Sequence, residues 1–308
     1  MKARISRGAK TDLTGNRPLV GIAFFIGSNF LTATVNAISK YLSVEIHALQ
    51  ITWAYFLAMT VFVAGYAVIK RMPPRAVIAT NHPGLQLVRA GLLVLNLWAL
   101  FVGLTYIPLA DAIAIVFVAP LLITALSVPL LGEKVGIHRW GAVLVGLGGI
   151  FIVIRPGGGA MEWALLLPLA SAVAFALFQI VTRKLSETEA TFVTLFYSCA
   201  GATVLSTPVA FFFWSPLDLR QTAILLGAGA LGAAAHFFTI CAFNVAQASF
   251  LAPFNYVRLI WATVLGYLIF GDVPGSHVLI GSAVVVASGL YVMMRERRQI
   301  PKVMDSDR

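Results

Sequence analysis

The chain has 308 residues, of which 59% are hydrophobic and only 11% are charged, and its formal net charge is +10. Soluble domains carry roughly 25% charged residues, so a chain this apolar cannot cover a globule with polar surface, and lipid must surround most of it. The basic residues flank apolar segments. They therefore indicate membrane topology and argue against nucleic acid as a partner.

Ten apolar segments are candidates for transmembrane helices, which need about 20 residues each. Turn and breaker residues such as Pro73-Pro74 and Gly157–Gly159 separate them. The sequence predicts an all-α integral membrane protein whose first helix is retained rather than cleaved as a signal peptide. Predicted helices 1 to 10 cover residues 19–40, 46–69, 86–106, 110–131, 139–154, 162–182, 189–214, 221–244, 247–270 and 276–294.

Lysine and arginine are distributed unevenly between the two sides of the predicted bundle. If the N-terminus is cytoplasmic, 18 of these residues lie inside and three lie outside, namely Lys40, Arg155 and Arg220. Cytoplasmic loops of membrane proteins carry such an excess of positive charge. We therefore predict a multi-pass protein of the inner (cytoplasmic) membrane, with cytoplasmic tails over residues 1–16 and 299–308.

The second half of the chain repeats the first, at offsets between 136 and 143 residues. The matches are Trp140-Gly141-Ala142 with Ile280-Gly281-Ser282, Ser39-Lys40-Tyr41-Leu42-Ser43 with Thr182-Arg183-Lys184-Leu185-Ser186, and Leu131-Gly132-Glu133-Lys134-Val135 with Phe270-Gly271-Asp272-Val273. Repeats over 17–155 and 160–298 would hold five helices each, and an odd number forces the second copy to cross the membrane in the opposite direction. Inverted repeats are typical of alternating-access transporters, with a site at their interface.

The fourth and fifth predicted helices carry a family resemblance. Ala119-Pro120-Leu121-Leu122, then Leu131-Gly132-Glu133-Lys134, then the glycine-rich stretch Gly141–Gly149 resemble the drug/metabolite transporter superfamily, and within it the EamA family. In the second half Pro253 is displaced, and Leu259 occupies the position that matches Pro120. A local role of Pro120 therefore does not carry over to helix 9.

The resemblance implies a secondary transporter that exports amino acids or related small metabolites by alternating access. Among relatives, the chain is also similar to YddG-type aromatic amino acid exporters. A multidrug or toxic-compound exporter is the alternative within the superfamily. From other classes, an intramembrane enzyme or a lipid-handling protein stays open.

Polar residues at helical spacing are the candidates for a transport pathway, because such groups are costly inside an apolar bundle. Predicted helices 1 and 6 each carry one polar stripe, and the two stripes are expected to face each other across a cavity. The alternative is that they hydrogen-bond between helices as packing contacts. The stripes are Ser28, Thr32, Asn36 and Ser39 in helix 1, and Ser171, Phe175, Gln179 and Thr182 in helix 6.

Predicted helices 3, 8 and 9 add further pathway candidates. Arg258 lies near the membrane midplane, where it could bind a substrate carboxylate or instead bond carbonyls freed around Pro253. Aromatic residues of helices 3 and 9 could form the wall of an apolar pocket. The candidates are Trp98 and Phe101 in helix 3, His236 and Thr239 in helix 8, and Asn255, Tyr256, Arg258 and Trp261 in helix 9.

The sequence carries no phosphate-binding loop, no catalytic triad and no metal-ligand cluster, so we predict neither an enzyme nor a cofactor. Only Asp111 and His236 could relay protons, which favours facilitated or weakly coupled export. Small residues, among them Ala142 and Gly146, suggest that predicted helices 5 and 10 form a tight scaffold or a dimer contact. The expected partners are a small-molecule substrate and membrane lipid, for a monomer or a homodimer.

Overall fold

The computed structural model describes residues 18–131, 136–154, 162–186, 188–245 and 251–299. Every regular element in these ranges is helical. A 3-10 helix, Ala252–Tyr256, directly precedes α11. The α-helices are α1 (Pro18–Leu42), α2 (Ala48–Ile69), α3 (Pro74–Ile78), α4 (Pro83–Leu104), α5 (Leu109–Val116), α6 (Ala119–Leu131), α7 (Ile137–Ile154), α8 (Glu162–Ser186), α9 (Thr191–Phe212), α10 (Leu219–Val245), α11 (Val257–Phe270) and α12 (Ser276–Gln299).

Within the described ranges, seven helical segments of 20–24 residues are long and apolar enough to cross a membrane. One of them, Leu109–Leu130, combines α5 and α6. Three shorter apolar helices of 10–17 residues lie in α7, at the 3-10 helix with α11, and in α12. The predicted all-α membrane fold is confirmed, and these segments match the ten predicted helices by position. The exact number that spans the bilayer stays a prediction.

The fourth predicted helix of each half is interrupted, a feature that the hydropathy pattern did not reveal. Phe117 and Val118 form a turn between α5 and α6. Pro120 is the second residue of α6, which is a position where a proline without an N–H is tolerated. In the second half the α-helix begins only at Val257, after the 3-10 helix that contains Pro253. The start of predicted helix 9, residues 247–250, lies outside the described ranges.

The two halves of the chain are intertwined. α1 packs along α10, and α8 packs along α4 in the equivalent way. The contact between α2 and α10 corresponds to the contact between α9 and α4. In the same way, the contact between α1 and α11 corresponds to the contacts of α8 with α5 and α6. The pairs α2–α9 and α7–α12 join equivalent helices directly. Exchanging the halves leaves this set of contacts unchanged, as expected for a pseudo-two-fold arrangement of repeats.

The contact between α7 and α12 depends on glycine. A Cβ atom at Gly149 would lie 2.9 Å from the Gly281 carbonyl oxygen, and a Cβ at Gly281 would lie 3.0 Å from the Val153 nitrogen. Only residues without side chains let the two backbones approach this closely. The predicted helices 5 and 10 therefore form a scaffold within one chain.

We expect Gly149→Leu to lower the free energy of unfolding by about 1–3 kcal/mol, because the added side chain has no space against α12. Thermal unfolding of the purified protein in detergent measures this effect. Gly148→Leu is the matched control, since a Cβ at Gly148 meets no atom within 4 Å. Equal melting temperatures for the two variants would show that the α7–α12 contact is not tight.

α5 is the most deeply buried helix of the region that carries the candidate site. All of its residues are buried except Asp111. It contacts α8, α11 and α7, so it runs through the centre of the bundle. Its last turn ends at the break before α6, and this places Phe117 in the interior.

Candidate functional site

The interruptions of the two halves meet in the interior. The ring of Phe117, at the α5–α6 turn, lies 5.3 Å from the ring of Tyr256, at the end of the 3-10 helix. The guanidinium of Arg258 lies 5.4 Å from the centre of the Phe117 ring. Substrate sites of transporters built from repeats are commonly formed where helices are interrupted near the midplane. This junction is therefore the candidate functional site.

Arg258 carries a positive charge that no residue in the described part of the chain neutralises. Its side chain is half-buried. Its Nε atom is buried without a hydrogen-bond partner, and none of the ion pairs among the described residues includes it. No hydrogen bond from Arg258 to a carbonyl occurs among the described residues, and residues 246–250, just before Pro253, lie outside them. A guanidinium at this depth costs several kcal/mol unless an anion or water compensates it.

Two tryptophans have indole N–H groups without acceptors. Nε1 of Trp98 on α4 and Nε1 of Trp261 on α11 are buried and make no hydrogen bond. The Trp261 ring packs edge-on against Phe30 at 5.0 Å. Buried indole donors usually find a partner, so both point to an acceptor that the described residues do not supply. Phe101 is different, because it is 1% exposed and packs in the core beside Tyr55.

The polar stripe of α1 divides into two parts. Its first residues make hydrogen bonds, whereas a hydroxyl near the end of the helix has no partner among the described residues. The Ser28 hydroxyl is 2.8 Å from the Ala235 carbonyl oxygen and 2.7 Å from the Thr239 hydroxyl, both on α10. Thr32 donates to the Ser28 carbonyl oxygen. Asn36 is buried, and the buried Ser39 hydroxyl has no hydrogen-bond partner among the described residues. Ser28 and Thr239 thus follow the packing alternative, and Asn36 stays a pathway candidate.

The α8 stripe turns mainly toward α4. Ser171 donates to the Asn96 side-chain oxygen at 2.7 Å, and Phe175 stacks on Phe178 of its own helix. Ser28 and Ser171 therefore face neighbouring helices, and they do not face each other across a cavity as expected. Gln179 keeps an exposed side chain.

Three other candidates have accessible polar groups. His236 on α10 keeps an exposed side chain. Asn255 in the 3-10 helix is also exposed, and Tyr256 is half-buried. The Tyr256 hydroxyl packs against Gly289 of α12, where a Cβ would overlap with it. The structure therefore brings Asn255, Tyr256 and Arg258 together at the junction.

Arg89 is one of the 18 lysine and arginine residues that the sequence analysis counts on the inside, but it is a buried residue of α4. Its Nε donates to Thr182 at 2.7 Å, and its Nη1 donates to the Thr194 carbonyl oxygen at 2.9 Å and to the Ser198 hydroxyl. Its guanidinium also lies 4.3 Å from the Phe178 ring. Arg89 thus ties α4 to α8 and α9. The position of Arg89 inside an apolar segment was the sequence feature that could have indicated its burial.

The family follows from comparison with known proteins. The model of the EamA-like transporter family matches residues 19–155 and again residues 162–294. The chain belongs to the EamA-like transporter family. It is therefore a membrane transporter and not an enzyme. A double match by one family model is also consistent with the internal repeat.

The curated relatives are transporters of different metabolites. This EamA-like chain is 26% identical over 288 residues to an S-adenosylmethionine uptake transporter of Rickettsia conorii, with 94% of this chain and 97% of that protein covered. It is 28% identical over 286 residues to a riboflavin transporter of Vibrio cholerae, with coverages of 92% and 96%. A pseudopaline exporter of Pseudomonas aeruginosa is 26% identical over 275 residues, with coverages of 87% and 94%.

A solved structure with 20% sequence identity has a TM-score of 0.59 and covers 91% of this EamA-like chain and 97% of its own. At this identity the likeness shows the fold alone. The relatives establish a small-molecule transporter embedded in the membrane. An amino acid as substrate, export as direction and the YddG-type assignment stay predictions.

Proposed function

We propose that this EamA-like transporter exports amino acids or closely related metabolites that carry a carboxylate, by alternating access. The observation that supports this proposal is the uncompensated guanidinium of Arg258 at the junction of the two interrupted helices. A carboxylate is the group that an arginine binds most specifically, through two parallel hydrogen bonds. The substrate would then supply the counter-charge that Arg258 lacks among the described residues.

The surroundings of Arg258 suit the rest of such a substrate. The rings of Phe117 and Tyr256 lie beside the guanidinium and offer apolar surface to a side chain. Small-molecule sites combine apolar walls with a few polar groups that fix orientation. Asn255 and the unsatisfied indole donors would serve as these polar groups.

Export is the proposed direction, and cytoplasmic termini are the proposed orientation. The excess of lysine and arginine on the side of the termini supports this orientation. The relatives include both an uptake transporter and an exporter by name. Direction must therefore be measured for this chain.

A multidrug exporter of cationic compounds is the competing function within the superfamily. An unpaired positive charge at the site opposes a cationic substrate, because like charges in a desolvated site repel strongly. The charge of Arg258 therefore favours the carboxylate-bearing substrate over a cationic drug.

Counterflow in proteoliposomes tests the proposal directly. Vesicles loaded with one unlabelled amino acid are expected to accumulate the same labelled amino acid, and a panel of amino acids identifies the substrate. The matched pair tryptophan and tryptamine differs only in the carboxylate, and we expect tryptamine not to be carried. Flux of the amine at the rate of the amino acid, or no flux of any amino acid by folded protein, would contradict the proposal.

A further inference from the structure

A single lysine joins three elements at the end of the bundle opposite the chain termini. Lys40, in the last turn of α1, lies 2.7 Å from the Asp272 carboxylate, just after α11. Its Nζ also donates to the Ile107 carbonyl oxygen at 3.1 Å, in the connection between α4 and α5. The ammonium is 4.9 Å from the Phe270 ring. Since Lys40 and Asp272 belong to different halves, the ion pair crosses the repeat interface.

The Asp272 carboxylate is placed by the way α11 ends. Gly271 has a left-handed backbone with φ of 70°. The Asp272 N–H bonds to the Gly266 carbonyl oxygen, and the Gly271 N–H bonds to that of Tyr267. The bond from the Gly271 N–H to Tyr267 is that of the αL helix end, in which glycine takes the left-handed position at little cost. The Gly-Asp sequence thus fixes the acidic group at the end of the helix.

The ion pair and the candidate site lie on the same helices, with the ion pair nearer the end of the bundle opposite the chain termini. α1 and α11 run in parallel, because Phe30 contacts Trp261 and Lys40 contacts Phe270 further along both helices. The distance along α11 from Arg258 to Phe270 is about 18 Å at 1.5 Å per residue. α5 runs the other way, from the Ile107 connection to the turn at Phe117. The helices that hold the site therefore converge at Lys40.

We propose that the Lys40–Asp272 ion pair is a gate that closes this end of the transport pathway and must break for substrate to pass. This inference rests on the alternating access proposed above. The side chains keep 15% and 22% exposure, respectively. An ion pair in contact with water can separate and re-form, whereas separating a fully buried pair strands two charges. The structure then shows the pathway closed at this end.

A second carboxylate is available to Lys40 when the pair separates. Asp111 lies in the first turn of α5, directly after the Ile107 connection that Lys40 also contacts. One of its oxygens, Oδ1, is buried without a hydrogen-bond partner. Lys40 would therefore keep a counter-charge on the α5 side after Asp272 moves away with α11.

The sequence repeat duplicates both charges of the pair. Arg183 occupies the position that matches Lys40, and Glu133 occupies the position that matches Asp272. Residue 133 and the side chain of residue 183 lie outside the part of the chain that the structure describes. The proposed gate comprises Lys40 and Asp272 alone.

Cysteine labelling tests the gate without any substrate. Asn36 is buried one turn below Lys40 on α1, so Asn36→Cys, in a chain with Cys199 and Cys241 changed to serine, reports access past the pair. The reagent is a membrane-impermeant maleimide, applied to intact cells and to inside-out vesicles. We expect Asp272→Asn to accelerate labelling from one face about fivefold. The charge-swapped pair Lys40→Asp with Asp272→Lys should restore the slow rate.

Two controls separate gating from general loosening. Arg220→Gln breaks the exposed Arg220–Glu45 ion pair and should leave the labelling rate unchanged. A second reporter chain retains the buried Cys199 on α9, which should stay slow to label in the Asp272→Asn background. An unchanged rate at Asn36→Cys from both faces, or an accelerated rate that persists in the swapped pair, would overturn the gate. Failure of amino acid flux would instead contradict the proposed substrate and leave this labelling result intact.

Discussion

Replacing Arg258 with glutamine is expected to weaken the apparent affinity for a carboxylate substrate by roughly 10- to 150-fold, which corresponds to about 1.5–3 kcal/mol for a hydrogen bond to a charged group. Glutamine keeps most of the side-chain length and removes the charge. Because Arg258 makes no ion pair within the described chain, its loss should not destabilise the fold. Concentration-dependent counterflow in proteoliposomes measures the effect.

Two further variants define what Arg258 contributes. Arg258→Lys keeps the charge but not the planar pair of donors, so we expect an intermediate affinity. Arg220→Gln is the matched control, since Arg220 is exposed and pairs with Glu45 far from the junction. Wild-type transport by Arg258→Gln would remove this residue from the substrate site. Loss of transport together with a large drop in melting temperature would indicate a structural role instead.

Arg89→Ala is expected to have the largest effect on stability, with a loss of about 2–4 kcal/mol in the free energy of unfolding. The substitution removes donors to Thr182, Thr194 and Ser198 and leaves a hole between α4, α8 and α9. Detergent-based unfolding, followed by tryptophan fluorescence, measures the change. A melting curve that matches that of the wild type would show that the network does not hold these helices together.

Arg89→Met separates the two parts of this loss. Methionine fills most of the space but donates no hydrogen bond, so we expect a stability between those of the wild type and Arg89→Ala. Arg75→Ala is the control, because Arg75 on α3 is exposed. Exposed substitutions of this kind usually change stability by no more than about 0.5 kcal/mol.

The two arginines differ in a way that the sequence could not reveal. Both lie inside apolar segments, yet Arg89 has its donors paired with α8 and α9, whereas Arg258 has a buried donor without a partner. The partners of Arg89 lie 93–109 residues away in sequence. Whether a buried charge is satisfied depends on these distant contacts, so composition and spacing along one helix cannot decide it.

The polar stripe of α1 shows the same limit. Helical spacing correctly groups Ser28, Thr32 and Asn36 on one helix. It does not predict that Ser28 is bonded to Ala235 and Thr239 while the Ser39 hydroxyl has no partner among the described residues. The packing of the whole bundle decides which helix lies beside each residue of the stripe. Some residues of one stripe can therefore bond to a neighbouring helix while others border a transport pathway.

Sequence alone determined the all-helical membrane fold, the approximate helix boundaries and the family, because hydropathy over about 20 residues and the repeat are local or linear properties of the chain. The tertiary structure decided where the helices break, which equivalent helices meet, and that Lys40 pairs with Asp272. These features depend on contacts between residues far apart in sequence. Arg258 and the Lys40–Asp272 pair acquire their proposed roles only from the helices that surround them.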